Sequence, residues 1–429
     1  MRTIVLVPII RKNRNGKVLR ERSVSSRLEE AVGLARAIRL DVVHHRAVNI
    51  SVVCPAILFG KSKADEFARY INESHAGLAI VDYFLTPVQQ RNLERLWDCK
   101  VIDRTGLILE IFGDRARTKE GVLQVELARL SYQKSRLVRT WTHLERQRGG
   151  RGFLGGPGET QIEVDKRLLQ EKIVRIRREL ERVVKTRALH RAKRKKTSFP
   201  VVALVGYTNA GKSTLFNRLS GANVLTEDML FATLDPTLRK VVLPHGNTIL
   251  LSDTVGFISN LPTHLIAAFR ATLEEVVEAD LILHVRDMSD AEHHVHAQDV
   301  LDVLSSLGVC IDDTECIMEV WNKIDTLDED SLSILQKSAK TLLNPALAVS
   351  ALTGKGLDQL LLAIEKRIFG EMQRIECVLK YHEMPLVNWF YENSGEIIQE
   401  ELEDGSVIIK AVLTSEAKKR LDDIKQNMN

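Results

Sequence analysis

Residues 200–214 read Pro-Val-Val-Ala-Leu-Val-Gly-Tyr-Thr-Asn-Ala-Gly-Lys-Ser-Thr. A run of apolar β-formers ends at Gly206. Four residues follow (Tyr207, Thr208, Asn209 and Ala210), then Gly211, Lys212, Ser213 and Thr214. A strand, a G-x-x-x-x-G-K-S loop and a helix start make a phosphate cradle, or P-loop. The glycines let the backbone turn so that successive N–H groups face phosphate oxygens, and the helix opening at Lys212 adds its positive end. The chemistry places Lys212 on the β- and γ-phosphates and the Ser213 hydroxyl on Mg²⁺.

The partners such a loop needs follow in order. Phe231-Ala232-Thr233-Leu234-Asp235 supplies Thr233, a hydroxyl able to close over the cation and the γ-phosphate. An apolar strand at 248–252 delivers Asp253, Thr254, Val255 and Gly256. Asp253 at the strand's end suits the outer coordination of Mg²⁺, and the Gly256 N–H is available to the γ-phosphate. A strand at 316–321 delivers Asn322, Lys323, Ile324 and Asp325, and one at 346–349, ending at Val349, delivers Ser350 and Ala351. An ionised Asp325 only accepts, and guanine offers two adjacent donors that adenine lacks, so the expected nucleotide is GTP or GDP. Lys212, Thr233 and Gly256 are the residues expected to act in hydrolysis. Phe257 follows Gly256 where a small GTPase holds a water-orienting glutamine, and phenylalanine cannot do that work. Hydrolysis is then slow alone, or a partner supplies the missing group, or the main chain and Thr233 suffice; Arg239 is a further candidate.

With 44% apolar and 28% charged residues over 429 positions, the chain has ample material for several cores. No apolar run approaches the ~18–20 residues of a membrane span, and Thr3–Ile10 runs into Arg11 and Lys12, so it reads as a strand rather than a leader. Five cysteines without a C-x-x-C pair indicate reduced thiols and a cytoplasmic location, with no zinc site. Charge is uneven. Residues 115–196 carry 24 Lys and Arg against 9 Asp and Glu, leaving 37 against 48 elsewhere, so a net +15 segment sits in an otherwise acidic chain.

The expected class is α/β, in four parts. Residues 1–103 alternate strands with helical patterns, as a small α/β domain with a mainly parallel sheet does. Residues 104–196 form a basic helical hairpin with a glycine-rich tip, and 197–370 the P-loop GTPase domain. Residues 371–429 form a small α+β module, with Asp404-Gly405 as a hairpin turn. The tip, 149–160, holds six of the chain's 24 glycines. It reads either as a flexible turn or as a loop that orders against RNA, with Arg148 and Arg151 on phosphates and Phe153 stacking; the charge of the arm favours RNA. Three imitations are set aside. Gly60-Lys61-Ser62 lacks the upstream glycine of a second phosphate loop, and Gly150-x-Gly152-x-x-Gly155 follows a helix rather than a strand. His293, His294 and His296 read as a solvent-facing helix start rather than a metal cluster.

The phosphate loop at 206–213, the switch Phe231–Thr237, Asp253–Phe257, and the connector Gly-Arg-Gly-Phe-Leu-Gly-Gly-Pro-Gly-Glu-Thr-Gln161 together resemble the HflX family of ribosome-associated GTPases. Asp103-Arg104-Thr105 and Arg115–Thr118 extend the likeness through residues 1–370. The resemblance implies a cytoplasmic, Mg²⁺-dependent, monomeric GTPase without a membrane partner. It also implies binding to the large ribosomal subunit and its RNA through the arm's loop, and separation or rescue of stalled ribosomes. A hydrophobic residue at the position of Phe257 is itself a feature of that family. Two alternatives remain: a GTP-gated RNA-binding protein with negligible turnover, and an RNA-modification GTPase.

Overall fold

Successive side chains of the first strand, β1 (Arg2–Ile10), enter two different cores: Ile4 and Leu6 face one way, Val5 and Val7 the other. A strand buried on both faces reads as a continuous apolar run, which is how a parallel sheet covered by helices is encoded. The computed structural model describes residues 1–10, 22–141, 161–195, 199–221, 230–231, 233, 237–259, 270–311, 315–341, 345–380, 383–394, 397–402 and 406–428. The N-terminal unit continues with α1 (Val24–Ala37), β2 (Asp41–Ile50), α2 (Lys61–Ser74), β3 (Leu78–Val81), α3 (Pro87–Trp97), β4 (Lys100–Asp103) and α4 (Arg104–Arg115). Its sheet is parallel throughout, in the order β2-β1-β3-β4. Phe67, Leu93 and Trp97 of α2 and α3 cover one face, while α1 and α4 cover the other through Leu34, Ile108 and Phe112.

Two long helices, α5 (Lys119–Trp141) and α6 (Gln161–Lys195), pack along each other through Leu123, Leu130, Ile173, Ile176 and Leu180. The base of α5 is tied to the N-terminal unit at the buried Asp103 carboxylate, which accepts from Tyr132 Oη at 2.6 Å and Arg136 Nη1 at 3.1 Å. The glycine-rich tip, with Arg148, Arg151 and Phe153, lies outside the described residues.

The central unit comprises β5 (Val201–Gly206), α7 (Lys212–Ser220), β6 (Thr237–Val242), β7 (Thr248–Asp253), α8 (Arg270–Val277) and β8 (Leu281–Asp287). It continues with α9 (His293–Ser306), β9 (Ile317–Asn322), α10 (Glu329–Thr341), β10 (Leu347–Ala348) and α11 (Leu357–Phe369). The six strands run in the order β10-β9-β8-β5-β7-β6, and β6 alone is antiparallel to its neighbour. This order lines up Gly206, Asp253 and Asn322 at the carboxyl ends of their strands, where an open α/β sheet binds its ligand. The chain ends in a three-stranded antiparallel sheet, β11 (Met372–Leu379), β12 (Ile397–Glu401) and β13 (Val407–Thr414), ordered β11-β13-β12. Phe390 of α12 (Leu386–Asn393) and Leu421 of α13 (Ser415–Met428) cover its buried face. The Asp404-Gly405 turn lies outside the described residues.

Candidate functional site

The loop between β5 and α7 is held open by close approaches that only glycine permits. A Cβ on Gly206 would stand 2.2 Å from the Val285 carbonyl oxygen, and one on Gly211, whose φ is 87°, would stand 2.2 Å from Asn322 Nδ2. Opposite them, a Cβ on Gly256 would meet Thr208 Cγ2 at 2.9 Å and Lys212 Nζ at 3.2 Å. The loop is pinned to the segment after β7 by two backbone bonds: Thr208 N donates to Phe257 O at 2.8 Å and Phe257 N to Gly206 O at 3.1 Å. The Phe257 ring is buried in the core with Val255, Ile258 and Leu273, so no side chain at that position faces the nucleotide cleft. Arg239 lies exposed on edge strand β6, paired with Leu251.

Lys212 is buried, and its ammonium donates to the Tyr207 carbonyl at 2.8 Å. Burial pushes its pKa down to about 8, with Asp253 opposing. A polyphosphate at the loop would supply the counter-charge that the lysine lacks. Three oxygens converge beside it: Ser213 Oγ stands 2.7 Å from Asp253 Oδ2 and 2.9 Å from Thr233 Oγ1, and Thr233 Oγ1 stands 2.9 Å from the same carboxylate oxygen. Adjacent ligands of an octahedral Mg²⁺ with bonds of about 2.1 Å are about 3.0 Å apart, close to the separation of the Ser213 and Thr233 hydroxyls, and Asp253 stands behind both where it can act from the outer shell. Burial raises the Asp253 pKa, and Asp253 Oδ1 and Thr208 Oγ1 are buried without a hydrogen-bond partner, as expected of groups awaiting a ligand.

The base end is built by cross-strand bonds. Asn322 Nδ2 donates to the Ala210 carbonyl at 2.9 Å, and Asn322 Oδ1 accepts from the Ala351 N–H at 3.0 Å, joining the phosphate loop to the loop after β10. Lys323 adopts a left-handed φ of 64° and pairs with Asp287 at 2.7 Å. Ser350 Oγ donates to Asp325 Oδ1 at 2.5 Å, which ties down an otherwise exposed carboxylate. Ile324 N–H rests on the Val349 carbonyl at 3.4 Å. Among the residues named from sequence, Ala232, Leu234 and Asp235 lie outside the described residues.

The back of the loop carries a second cluster that motif reading missed. The Tyr207 hydroxyl donates to Glu30 of α1 and accepts from the Ser259 N–H at 2.9 Å. Glu30 is also paired with Arg104 at 2.6 Å and Arg22 at 2.9 Å. Arg104 continues to Asp82 at 2.5 Å and to the Ser259 carbonyl at 2.9 Å, and Arg22 to Glu292 at 3.1 Å and to Ser259 Oγ at 2.6 Å. Burial pushes the Glu30 carboxyl up, but the Arg104 and Arg22 guanidiniums override it and hold it down at about 2. The same burial and the Glu30 carboxylate push the Tyr207 hydroxyl up. One N-terminal carboxylate thus holds the phosphate loop through Tyr207, and the arginines it pairs with hold the segment after Gly256 at Ser259. Sequence offered a clue in the spacing of Ser26, Glu30 and Gly33, which share one face of α1, with Arg22 just before its N-terminal cap. A mid-helix glycine such as Gly33 marks a close approach.

The histidines are arranged differently from expectation. His294 is exposed as expected, beside His293 on Arg286, with ring nitrogens 3.1 and 2.9 Å from its Nη2. His296 is buried, because its ring stacks on Tyr207 with centroids 3.9 Å apart while Nδ1 pairs with Asp290 at 3.2 Å. Among the described residues no group of three His, Cys, Asp or Glu is arranged to hold a metal ion, and no helix is long and apolar enough to cross a membrane. Gly60 sits at the N-terminal cap of α2, with Lys61 exposed in its first turn.

Four family models match consecutive parts of the chain: the N-terminal region of a GTP-binding GTPase over residues 25–113, its middle region over 115–194, a 50S ribosome-binding GTPase over 201–323, and the HflX C-terminal domain over 333–427. The chain is 50% identical over 382 residues to the GTPase HflX of Magnetococcus marinus, covering 89% of this chain and 87% of the relative. It is 48% identical over 357 residues to that of Escherichia coli K12, covering 83% and 82%. A solved structure of a GTP-binding protein from Sulfolobus solfataricus in complex with GDP aligns at 24% identity with a TM-score of 0.46, covering 86% of this chain and 99% of that one.

Proposed function

Because the chain belongs to the HflX family of GTPases, we propose that it is a ribosome-dependent switch. It binds GTP with Mg²⁺, docks on the large ribosomal subunit through its basic helical arm, and hydrolyses GTP there to time its release. In the cell it works as a cytoplasmic monomer and dissociates or rescues stalled ribosomes. The observation that carries this reading is the pairing of an assembled cation cluster with a buried Phe257. Ser213, Thr233 and Asp253 are in place, while the side chain that would orient the attacking water is turned into the core. A site so built holds GTP well and turns it over poorly until a partner supplies what is absent.

In this reading each residue has a distinct role. Lys212 reaches the β- and γ-phosphates, with its charge restored by theirs. Ser213 and Thr233 hold the cation directly and Asp253 through its outer shell, and the Gly256 N–H faces the γ-phosphate. Mg²⁺, when bound, neutralises charge on the β- and γ-oxygens as the bond breaks. Asp325 and the loop Val349–Ala351 select guanine. The match of residues 201–323 to a 50S ribosome-binding GTPase supports the partner. Charge supports it too, because a net +15 arm has the footprint of a phosphate-backbone ligand. Arg148 and Arg151 contact ribosomal RNA phosphates and Phe153 stacks.

The test is GTP hydrolysis by the purified chain, alone and with large ribosomal subunits. The expected result is a slow basal rate that rises by about two orders of magnitude or more, of the kind that a supplied catalytic group produces. Deleting residues 149–158 should leave nucleotide binding intact and abolish most of that rise. Binding of GTP without any stimulation would replace the switch by a GTP-gated RNA-binding protein with negligible turnover.

A further inference from the structure

Thr233 reaches the cation cluster from a segment anchored on another domain. Two residues before it, Phe231 adopts a left-handed φ of 59°, which a bulky side chain tolerates only when its surroundings hold it there. Its ring is buried and packs edge-to-face on Phe112 of α4, with centroids 4.8 Å apart. The residue before it, Leu230, lies against α1, where a Cβ on Gly33 would come within 3.1 Å of Leu230 Cδ1. Both supports, Phe112 and Gly33, come from the N-terminal domain. A single residue separates Phe231 from Thr233, whose hydroxyl stands 2.9 Å from both Ser213 Oγ and Asp253 Oδ2.

We propose that Phe112 is a positioning residue for GTP hydrolysis: through its contact with Phe231 it holds Thr233 where it completes the cation site. The inference rests on the reading of Thr233 as a cation and γ-phosphate ligand. A loop that must order itself to place one hydroxyl loses conformational entropy, and an aromatic pair already seated in a core meets that loss in advance. The consequence is selective. GDP has no γ-phosphate for Thr233 to close over, so GDP binding is indifferent to the ring contact, while GTP binding, cation affinity and turnover depend on it.

The experiment uses the full chain and compares Phe112→Ala, Phe112→Leu, Phe231→Ala, the double alanine variant and Thr233→Ala. Three quantities are read: GDP affinity, kcat/KM for GTP, and the Mg²⁺ concentration for half-maximal turnover. Phe112→Ala and Phe231→Ala should each lower kcat/KM by about tenfold and raise the Mg²⁺ requirement several-fold, with GDP affinity held within about twofold. Phe112→Leu should recover most of the loss, and the double variant should be no worse than either single one, since both remove the same contact. Phe231→Ala, on the switch side, keeps the test valid if Phe112→Ala fails to fold. Equal losses of GDP affinity and of kcat/KM for GTP, losses that multiply in the double variant, or no effect at all would overturn the proposal. If Thr233→Ala raises the Mg²⁺ requirement and Phe231→Ala does not, the positioning role alone fails. If Thr233→Ala leaves that requirement unchanged, the assignment of Thr233 falls with it.

Discussion

The phosphate loop has two faces, built by different means. Its front, toward the nucleotide, is assembled from short motifs at the ends of neighbouring strands: Lys212 and Ser213 after β5, Asp253 and Gly256 after β7, Asn322 and Asp325 after β9. Its back is assembled from single residues scattered across two domains, with Tyr207 and Ser259 meeting Glu30, Arg22 and Arg104. On the front, orphaned polar atoms and an undercompensated lysine await a ligand. On the back, the Glu30, Arg22 and Arg104 charges are paired with one another within the chain, although Arg104 Nε and His296 Nε2 are also buried without a partner. One face is built to exchange its occupant and the other to hold the N-terminal unit, and the backbone of 206–208 is common to both.

The sharpest way to break this contrast is Glu30→Gln. The amide leaves the Arg22 and Arg104 guanidiniums buried beside a neutral group, and removing one member of a buried ion cluster is destabilising by about 3–5 kcal/mol. The depressed carboxyl pKa agrees in size, since a fall from 4.5 to about 2 corresponds to roughly 3 kcal/mol. Its sign fixes the pH window: the contribution is complete above the unfolded carboxyl value of about 4.3 and is lost as pH falls through that value toward 2. Denaturant unfolding at pH 7 should show the full loss in the variant, and the gap between variant and parent should narrow toward pH 3. A variant as stable as the parent at pH 7 would mean that the back face is a solvated contact rather than a clamp.

The difference between the faces also explains what could be read from the sequence. The front was legible because each motif is contiguous and its chemistry fixes its spacing: Asn322 and Asp325 must follow one strand and Ser350 the next. The parallel sheets were legible for a similar reason, since β5 and most of β1 are continuous apolar runs and β8 opens on one. The back was not, because Glu30 and Arg104 are 74 positions apart and each, taken alone, is an ordinary helical charge. His296 misled for the same reason. Adjacent histidines at a helix start suggest exposure, and only the packing of α9 against the phosphate loop brings that ring onto Tyr207. Long-range pairing of polar groups has no local period, so a single sequence does not announce it.

On the front face the next largest effect is expected at Asp325. Replacing its carboxylate by the amide of Asn removes an acceptor that guanine's two donors share. Sites built around such hydrogen bonds lose discrimination steeply, so Asp325→Asn should reduce the preference for GTP over ATP by about a hundredfold or more. Competition titrations with both nucleotides measure it, and stability should stay within about 0.5 kcal/mol of the parent because Asp325 is exposed. Unchanged selectivity would move guanine recognition elsewhere. The pairing of this variant with Glu30→Gln sharpens the contrast: one should lose specificity at constant stability, the other stability first.

The smallest effect tests the front face by protons alone. Burial holds Lys212 at about 8 in the ligand-free chain, and Asp253 offsets only part of that fall. Bound phosphates raise the value, so above pH 8 nucleotide binding must take up a proton, and affinity declines as pH rises. With half the lysine charged at pH 8 and about a tenth at pH 9, GDP affinity at saturating Mg²⁺ should weaken by about tenfold between pH 7 and 9. Lys212→Arg serves as the control: a guanidinium stays charged across this range, so whatever affinity that variant retains should be flat with pH. The back face predicts no slope in the same window, because Glu30 and its arginines do not titrate there. A slope that survives in Lys212→Arg would therefore assign the proton to another group and remove the buried lysine from the account of binding.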